Sequence, residues 1–262
     1  MLGMIFVISI LFLTIFAPLI APYGPETRVW EEKLEPPSMR HYFGTDNNGG
    51  DIFSRVLYGY QLDLSMSLSV VIFAAGIGTI LGAIAAYLGG KSDESIMRIT
   101  DVFLAVPGLI LAMAVGAVMG RTPTNLAIAL ALTRWPSYAR LIRGQVLVEK
   151  QKLYVEAARA SGGGAARILF RHVLPNSIYP ILVNATLDLG AVILSVAALS
   201  FLGFGVEPGA AELGRMVSDG AQFIFANPWV VTFPGLAILF ASLGLNLVGD
   251  GLRDILDPRL RR

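Results

Sequence analysis

The chain has 262 residues, 55% of them hydrophobic and 15% charged, with a mean hydropathy of +0.65. Soluble domains carry roughly a quarter charged residues, so this balance points to a membrane protein. A formal net charge of +1 gives no ground for a nucleic-acid partner, and the absence of cysteine excludes disulfides and thiolate chemistry.

Crossing the hydrocarbon layer takes about 20 apolar residues. Residues 2–21 form the first such run; no basic residue precedes it and its apolar core is long for a signal peptide, so it reads as a retained anchor. Residues 22–60 are polar and turn-rich, with Pro22, Pro25, Pro36, Pro37 and the cluster Asp46 to Gly50, and predict a loop with at most one short helix. A second span is expected over 62–88, then a polar link, a third over 99–119, a tight turn at 120–124 and a fourth over 125–142. A fifth over 177–204, a loop at 205–228, a sixth over 229–248 and a short charged tail complete the chain. The expectation is an all-α membrane protein with six transmembrane helices. It divides into 1–61, an anchor plus outer loop, and 62–262, a five-helix unit with a polar loop at about 145–176.

Six spans put both termini on one side, and basic residues decide which. The side holding the 145–176 loop has thirteen: Lys91, Arg98, Arg140, Arg143, Lys150, Lys152, Arg159, Arg167, Arg171, Arg253, Arg259, Arg261 and Arg262. The other side has six, and Arg134 lies within the fourth span. Loop and termini are therefore expected in the cytoplasm of a multi-pass cell-membrane protein.

Within that loop, residues 145–161 have few breakers and predict one helix, stopped by Gly162-Gly163-Gly164. Ala165 to His172 can restart a short helix, and Pro175 marks entry to the next element. The result is a compact knob whose first helix presents a small-residue surface at Ala157, Ala158, Ala160 and Ser161.

Other motifs carry less. Gly89-Gly90-Lys91-Ser92 lacks the upstream glycine of a phosphate-binding loop, because Ala85 stands there. Gly78-x-x-x-Gly82 and Gly116-x-x-x-Gly120 suit close helix packing. Asp63 and Asp101 are expected near span ends, and both His41 and His172 at the surface. Asn184, Asp188 and Asn246 are candidates for a polar translocation path or for helix-to-helix hydrogen bonding. No span holds a closely spaced carboxylate–basic series or a catalytic constellation.

The stretch Glu156-Ala157-Ala158, then Gly162, then Leu174-Pro175 resembles the coupling loop of permease subunits of ATP-binding-cassette importers, with His172 replacing an isoleucine. The likeness extends to Ala17–Tyr23, Phe43-Gly44-Thr45-Asp46, Asp101 with Pro107, Leu199–Gly203 and Gly249–Leu260, which resemble the second, C-type permease of the dipeptide, oligopeptide and nickel class. The sequence departs from that pattern at Gly49-Gly50, at Val196 where glutamate is common, and at Glu212-Leu213-Gly214 in place of Ser-Trp-Gly. The resemblance implies a MetI-like type I importer fold and no enzymatic activity or cofactor in this chain, ATP and magnesium belonging to partner subunits. It implies a second, B-type permease, two ATPases and an extracytoplasmic solute-binding protein as partners. The expected cargo is peptides, nickel chelates or other small solutes. ATPase coupling falls to Glu156, Ala157, Ala158, Arg159, Gly162, Leu174 and Pro175. A self-contained channel or secondary carrier is the alternative, and it predicts solute flux through the purified chain alone in liposomes without ATP.

Overall fold

A computed structural model describes residues 2–256, and among these the fold is all helical. Helix α1 (Leu2–Ile15) is followed after Phe16 by a short α2 (Ala17–Ile20) carrying Pro18 in its first turn, so the first apolar run is interrupted near its end. The outer segment holds one 3-10 turn, Trp30–Glu32. Helix α3 then runs over Ile52–Leu88, 37 residues, starting ten residues earlier than its apolar core predicts and passing unbroken through 61/62. Its start is set by Asp51, whose carboxylate accepts from the Ser54 N–H at 2.8 Å, and its end by Gly89.

The third span is not straight. Helices α4 (Gly90–Ala105) and α5 (Gly108–Met119) meet at 88°. Pro107 forces Val106 into an extended conformation, and a helix cannot continue through it. Helix α6 (Pro123–Glu149) is capped by Thr122 and is longer than its predicted span. The predicted helix over 145–161 is in fact broken at Lys150–Lys152, and α7 covers only Leu153–Ala160. Here tertiary contacts override helix propensity: the Lys150 ammonium donates to the Ala86 carbonyl at 2.6 Å, and Lys152 pairs with Glu149 at 2.7 Å.

After the glycine turn come α8 (Ala165–Ile168), a π-turn at Leu169–Val173 and α9 (Leu174–Ser177), so the restarted helix is longer than predicted and locally widened. Pro175 has no N–H to donate to the carbonyl four residues back, and the Leu174 N–H reaches five back to Leu169 instead. Helices α10 (Tyr179–Phe201), α11 (Leu213–Gly220) and α12 (Trp229–Leu256) complete the bundle. On length and apolarity α3, α10 and α12 each suffice to cross a membrane, and the bent α4–α5 pair does so jointly.

The most intimate contact is between α3 and α6. A Cβ added at Gly78 would stand 2.6 Å from the Tyr138 Cβ, and one at Gly82 2.6 Å from the Ile142 Cγ2. The Gly78-x-x-x-Gly82 spacing is therefore a packing motif. Around it Ala74, Ala83, Trp135, Tyr138 and Ile142 make a buried core.

The end of the bundle opposite the knob is tied together by charge. His41 is buried, contrary to the surface position expected, with Nδ1 2.9 Å from Asp51 and Nε2 3.1 Å from Glu32. Arg55 donates to the carbonyls of Pro25, Gly209 and Ala210, and Arg28 also donates to that of Gly209 at 2.8 Å. Asp63, expected near a span end, is fully buried on α3 and accepts from the Leu213 N–H. Beside it Glu212 caps α11, accepting from the Gly214 and Arg215 N–H groups at 3.0 and 2.6 Å. Burial pushes the Glu212 carboxyl up to about 7. Its folded value thus lies above the ordinary glutamate value of about 4.3. Stability from the proton is fully present below about pH 4.3 and lost as pH rises through about 7. Glu212→Gln is expected to flatten the pH dependence of thermal unfolding across that window, measured on purified protein in detergent.

Candidate functional site

The knob is a projecting helix–turn–helix rather than a pocket. In α7 only Val155 is fully buried, while Glu156, Ala157 and Arg159 are exposed and Ala158 is half-buried against the core. Gly162 stands at φ +79°, a conformation that side-chain-bearing residues avoid, and turns the chain back toward α8. Leu174 is half-buried and Pro175 exposed where the helix re-enters the bundle. The seven residues expected to couple to a partner therefore lie on one projecting element, and the first four share its open helix.

Sequence reasoning missed what holds α7. The Tyr154 hydroxyl on α7 donates to the Glu149 carboxylate at the end of α6 at 2.7 Å. The Asn176 amide on α9 donates to the His172 carbonyl at 2.6 Å and approaches the same tyrosine oxygen at 3.4 Å. Burial, followed by the bond to Glu149, pushes the Tyr154 phenol up to about 12, so it is a proton donor at any physiological pH. Arg159 also lies over the Tyr87 ring at the end of α3, 5.7 Å from its centroid. One helix is thereby tied to α3, α6 and α9. The partners Glu149 and Asn176 lie 5 and 22 residues from Tyr154 with no periodic signature.

The polar candidates within the spans separate. Asp188, at the middle of α10, forms an ion pair with Arg134 on α6 and accepts from the Tyr138 hydroxyl at 3.0 Å. The second Arg134 nitrogen donates to the Ser195 hydroxyl at 2.7 Å. Asn184 sits one turn before Asp188 on the same half-exposed face. Asn246 on α12 lies elsewhere, its amide oxygen against Gly190, and no hydrogen bond joins it to Asn184 or Asp188 among the described residues. Asp101 is exposed and paired with Arg140 at 2.5 Å.

The departures from the family pattern also find places. Val196 is fully buried between helices, and Gly50 is hemmed in by Asp46 and Arg55. In the terminal run, Gly249 packs closely on Leu187 of α10, while Asp257 to Leu260, Arg261 and Arg262 lie outside the described residues.

A helical membrane bundle with a projecting helix–turn–helix between two long spans is the form of an importer permease, and the sequence matches agree. Residues 78–262 match the family described as binding-protein-dependent transport system inner membrane component, and residues 1–37 match the N-terminal TM domain of oligopeptide transport permease C. The chain belongs to this family, as a C-type permease subunit. It is 43% identical to the dipeptide transport system permease protein DppC of Alkalihalophilus pseudofirmus, over 99% of this chain and 85% of that one. It is 45% identical to the glutathione transport system permease protein GsiD of Escherichia coli O6:K15:H31, over 98% of this chain and 85% of the relative. In fold it resembles the inward-facing MetNI methionine ABC transporter, with a TM-score of 0.63 and 20% identity over 79% of this chain and 98% of that one.

Proposed function

We propose that this permease subunit imports peptides through a path shared with a B-type permease, driven by ATP that two partner ATPases hydrolyse with magnesium. The observation that carries the reading is the exposed Glu156–Arg159 helix, braced on three sides and turned by Gly162. Such an element has no internal use; it transmits displacement from a protein that grips it in one nucleotide state and differently in another. Dipeptide and glutathione permeases among the relatives support peptides as cargo, delivered by an extracytoplasmic solute-binding protein. The basic-residue bias supports a cytoplasmic knob and cytoplasmic termini in the cell membrane. The segment 1–61 supplies the anchor and outer loop, and 62–262 the five-helix unit whose loop at about 145–176 does the coupling. Purification of this chain from membranes in mild detergent is expected to bring two ATPase subunits with it. A chain isolated free of any ATPase, yet able to pass solute in liposomes, would favour a self-contained carrier.

The path wall is best assigned to α6 and α10. Arg134, Ser137, Arg140 and Gly144 follow one another at helical spacing on the open side of α6, and Asn184, Asp188, Ala191 and Ser195 do so on α10. A charge in hydrocarbon at mid-span costs about 2.5–3.5 kcal/mol even on insertion scales. An ion pair there that keeps part of its surface exposed faces water or a protein partner rather than lipid. Asn246, off this stripe, serves helix packing more readily than transport.

Tyr154→Phe keeps the ring and deletes the hydroxyl, a bond worth about 1 kcal/mol net at a partly exposed site. The variant is expected to insert normally and to lose a few-fold in solute moved per ATP hydrolysed, measured in proteoliposomes holding the full complex.

A further inference from the structure

The Arg134–Asp188 pair has properties that helix bracing alone does not require. It lies near mid-span on both helices, it joins the two polar stripes, and both side chains stay open to the outside of the chain, at 22% and 14% exposure. Tyr138 holds Asp188 from within the bundle, and Ser195 holds Arg134 on the stripe itself. As paired, the site is electrically neutral, and each member is one substitution away from leaving a bare unit charge.

We infer that this pair sets the charge selectivity of the path, keeping its middle neutral toward peptides whose side chains carry either sign. The inference deepens the peptide-permease reading and rests on it. A wall bearing one net charge in a confined aqueous passage attracts one class of cargo and repels the other, whereas a closed dipole does neither strongly. The pair is thus a specificity-determining element for zwitterionic cargo, and its two members oppose each other.

The test uses the full complex in proteoliposomes, with binding protein and ATP, and three tripeptides: Ala-Ala-Ala, Ala-Lys-Ala and Ala-Asp-Ala. The readout is the uptake ratio of the lysine to the aspartate peptide. The binding protein is common to every arm, so its own preference cancels between variants. Arg134→Gln leaves Asp188 alone and is expected to raise the ratio roughly 25-fold, because the Boltzmann factor of about five for unit charges about 4 Å apart in water favours the lysine peptide and equally disfavours the aspartate peptide. Asp188→Asn is expected to lower it by a similar factor, and the double variant to return it to the starting value. A bracing role alone would depress uptake of all three peptides together; an unmoved ratio in both single variants overturns the inference.

A second measurement stands apart from folding of those variants and from the choice of cargo. The chain has no cysteine, so Ser137→Cys on the same stripe provides a unique thiol. Its modification by a membrane-impermeant charged thiol reagent, read by mass on this chain, is expected if the stripe lines water. An inert thiol in the assembled, active complex overturns the assignment. Failure of the wild-type complex to take up any of the three peptides would instead sink the substrate reading, and the thiol result would still report whether the pair borders a water path.

Discussion

Gly82→Leu is expected to prevent stable folding of the bundle, with a loss of about 3 kcal/mol, the upper end for overpacked side chains. The reason is geometric. Helices α3 and α6 approach so closely that even the first carbon of a side chain at position 82 meets Ile142 and the Ala139 backbone, and backbone cannot rotate away as a flexible side-chain tip can. The two helices would have to separate along their shared seam, opening the core around Trp135 and Tyr138. Gly78→Leu is expected to do the same, one helical turn away against Tyr138. Gly76→Leu is the control: position 76 is exposed, nothing stands near its added carbon, and a change there exchanges one lipid-compatible surface for another. Thermal unfolding of the three variants in detergent, beside their yield in membranes, decides the matter. Equal behaviour at 76 and 82 would show that the seam has slack the packing does not suggest.

The second large effect concerns the knob. Gly162→Pro is expected to leave the spans inserted and to abolish solute movement, because proline fixes φ near −65° and cannot take the +79° that turns α7 back onto α8. Glu156→Lys attacks the same function chemically, reversing a charge on the exposed helix without touching the core. Both are expected to preserve ATP hydrolysis by associated subunits, or to leave it running idle, while transport falls at least tenfold. Solute flux and phosphate release measured on the same proteoliposomes check this. Flux still locked to hydrolysis in both variants would remove the knob from the coupling mechanism.

How much of this was legible in the chain depends on the range of the interaction. The spans, the Gly162 turn and the small-residue seam are local patterns, and each was readable from composition and spacing. Pro107 carried the signal for the 88° bend, yet an uninterrupted apolar run hid it. The break at Lys150–Lys152 had no local signal at all, since lysine and glutamine favour helix; it follows from an ammonium reaching a carbonyl 64 residues earlier. His41 is buried by Glu32 and Asp51 from a loop without periodicity. The partner of Arg134 is legible by rule: a charge within a span demands a partner, and Asp188 is the complementary charge deep in another span.

The widened turn at Leu169–Val173 has a geometric outcome for everything after it. One extra residue in a turn advances the azimuth of the following helix by about 100°. The bearing of Asn184, Asp188 and Ser195 around the axis of α10 therefore depends on the turn beside Pro175 as well as on the junction at Ile178 and Pro180. A residue at the knob end of the helix, in contact with none of the three, thus bears on the direction in which the polar face of α10 points.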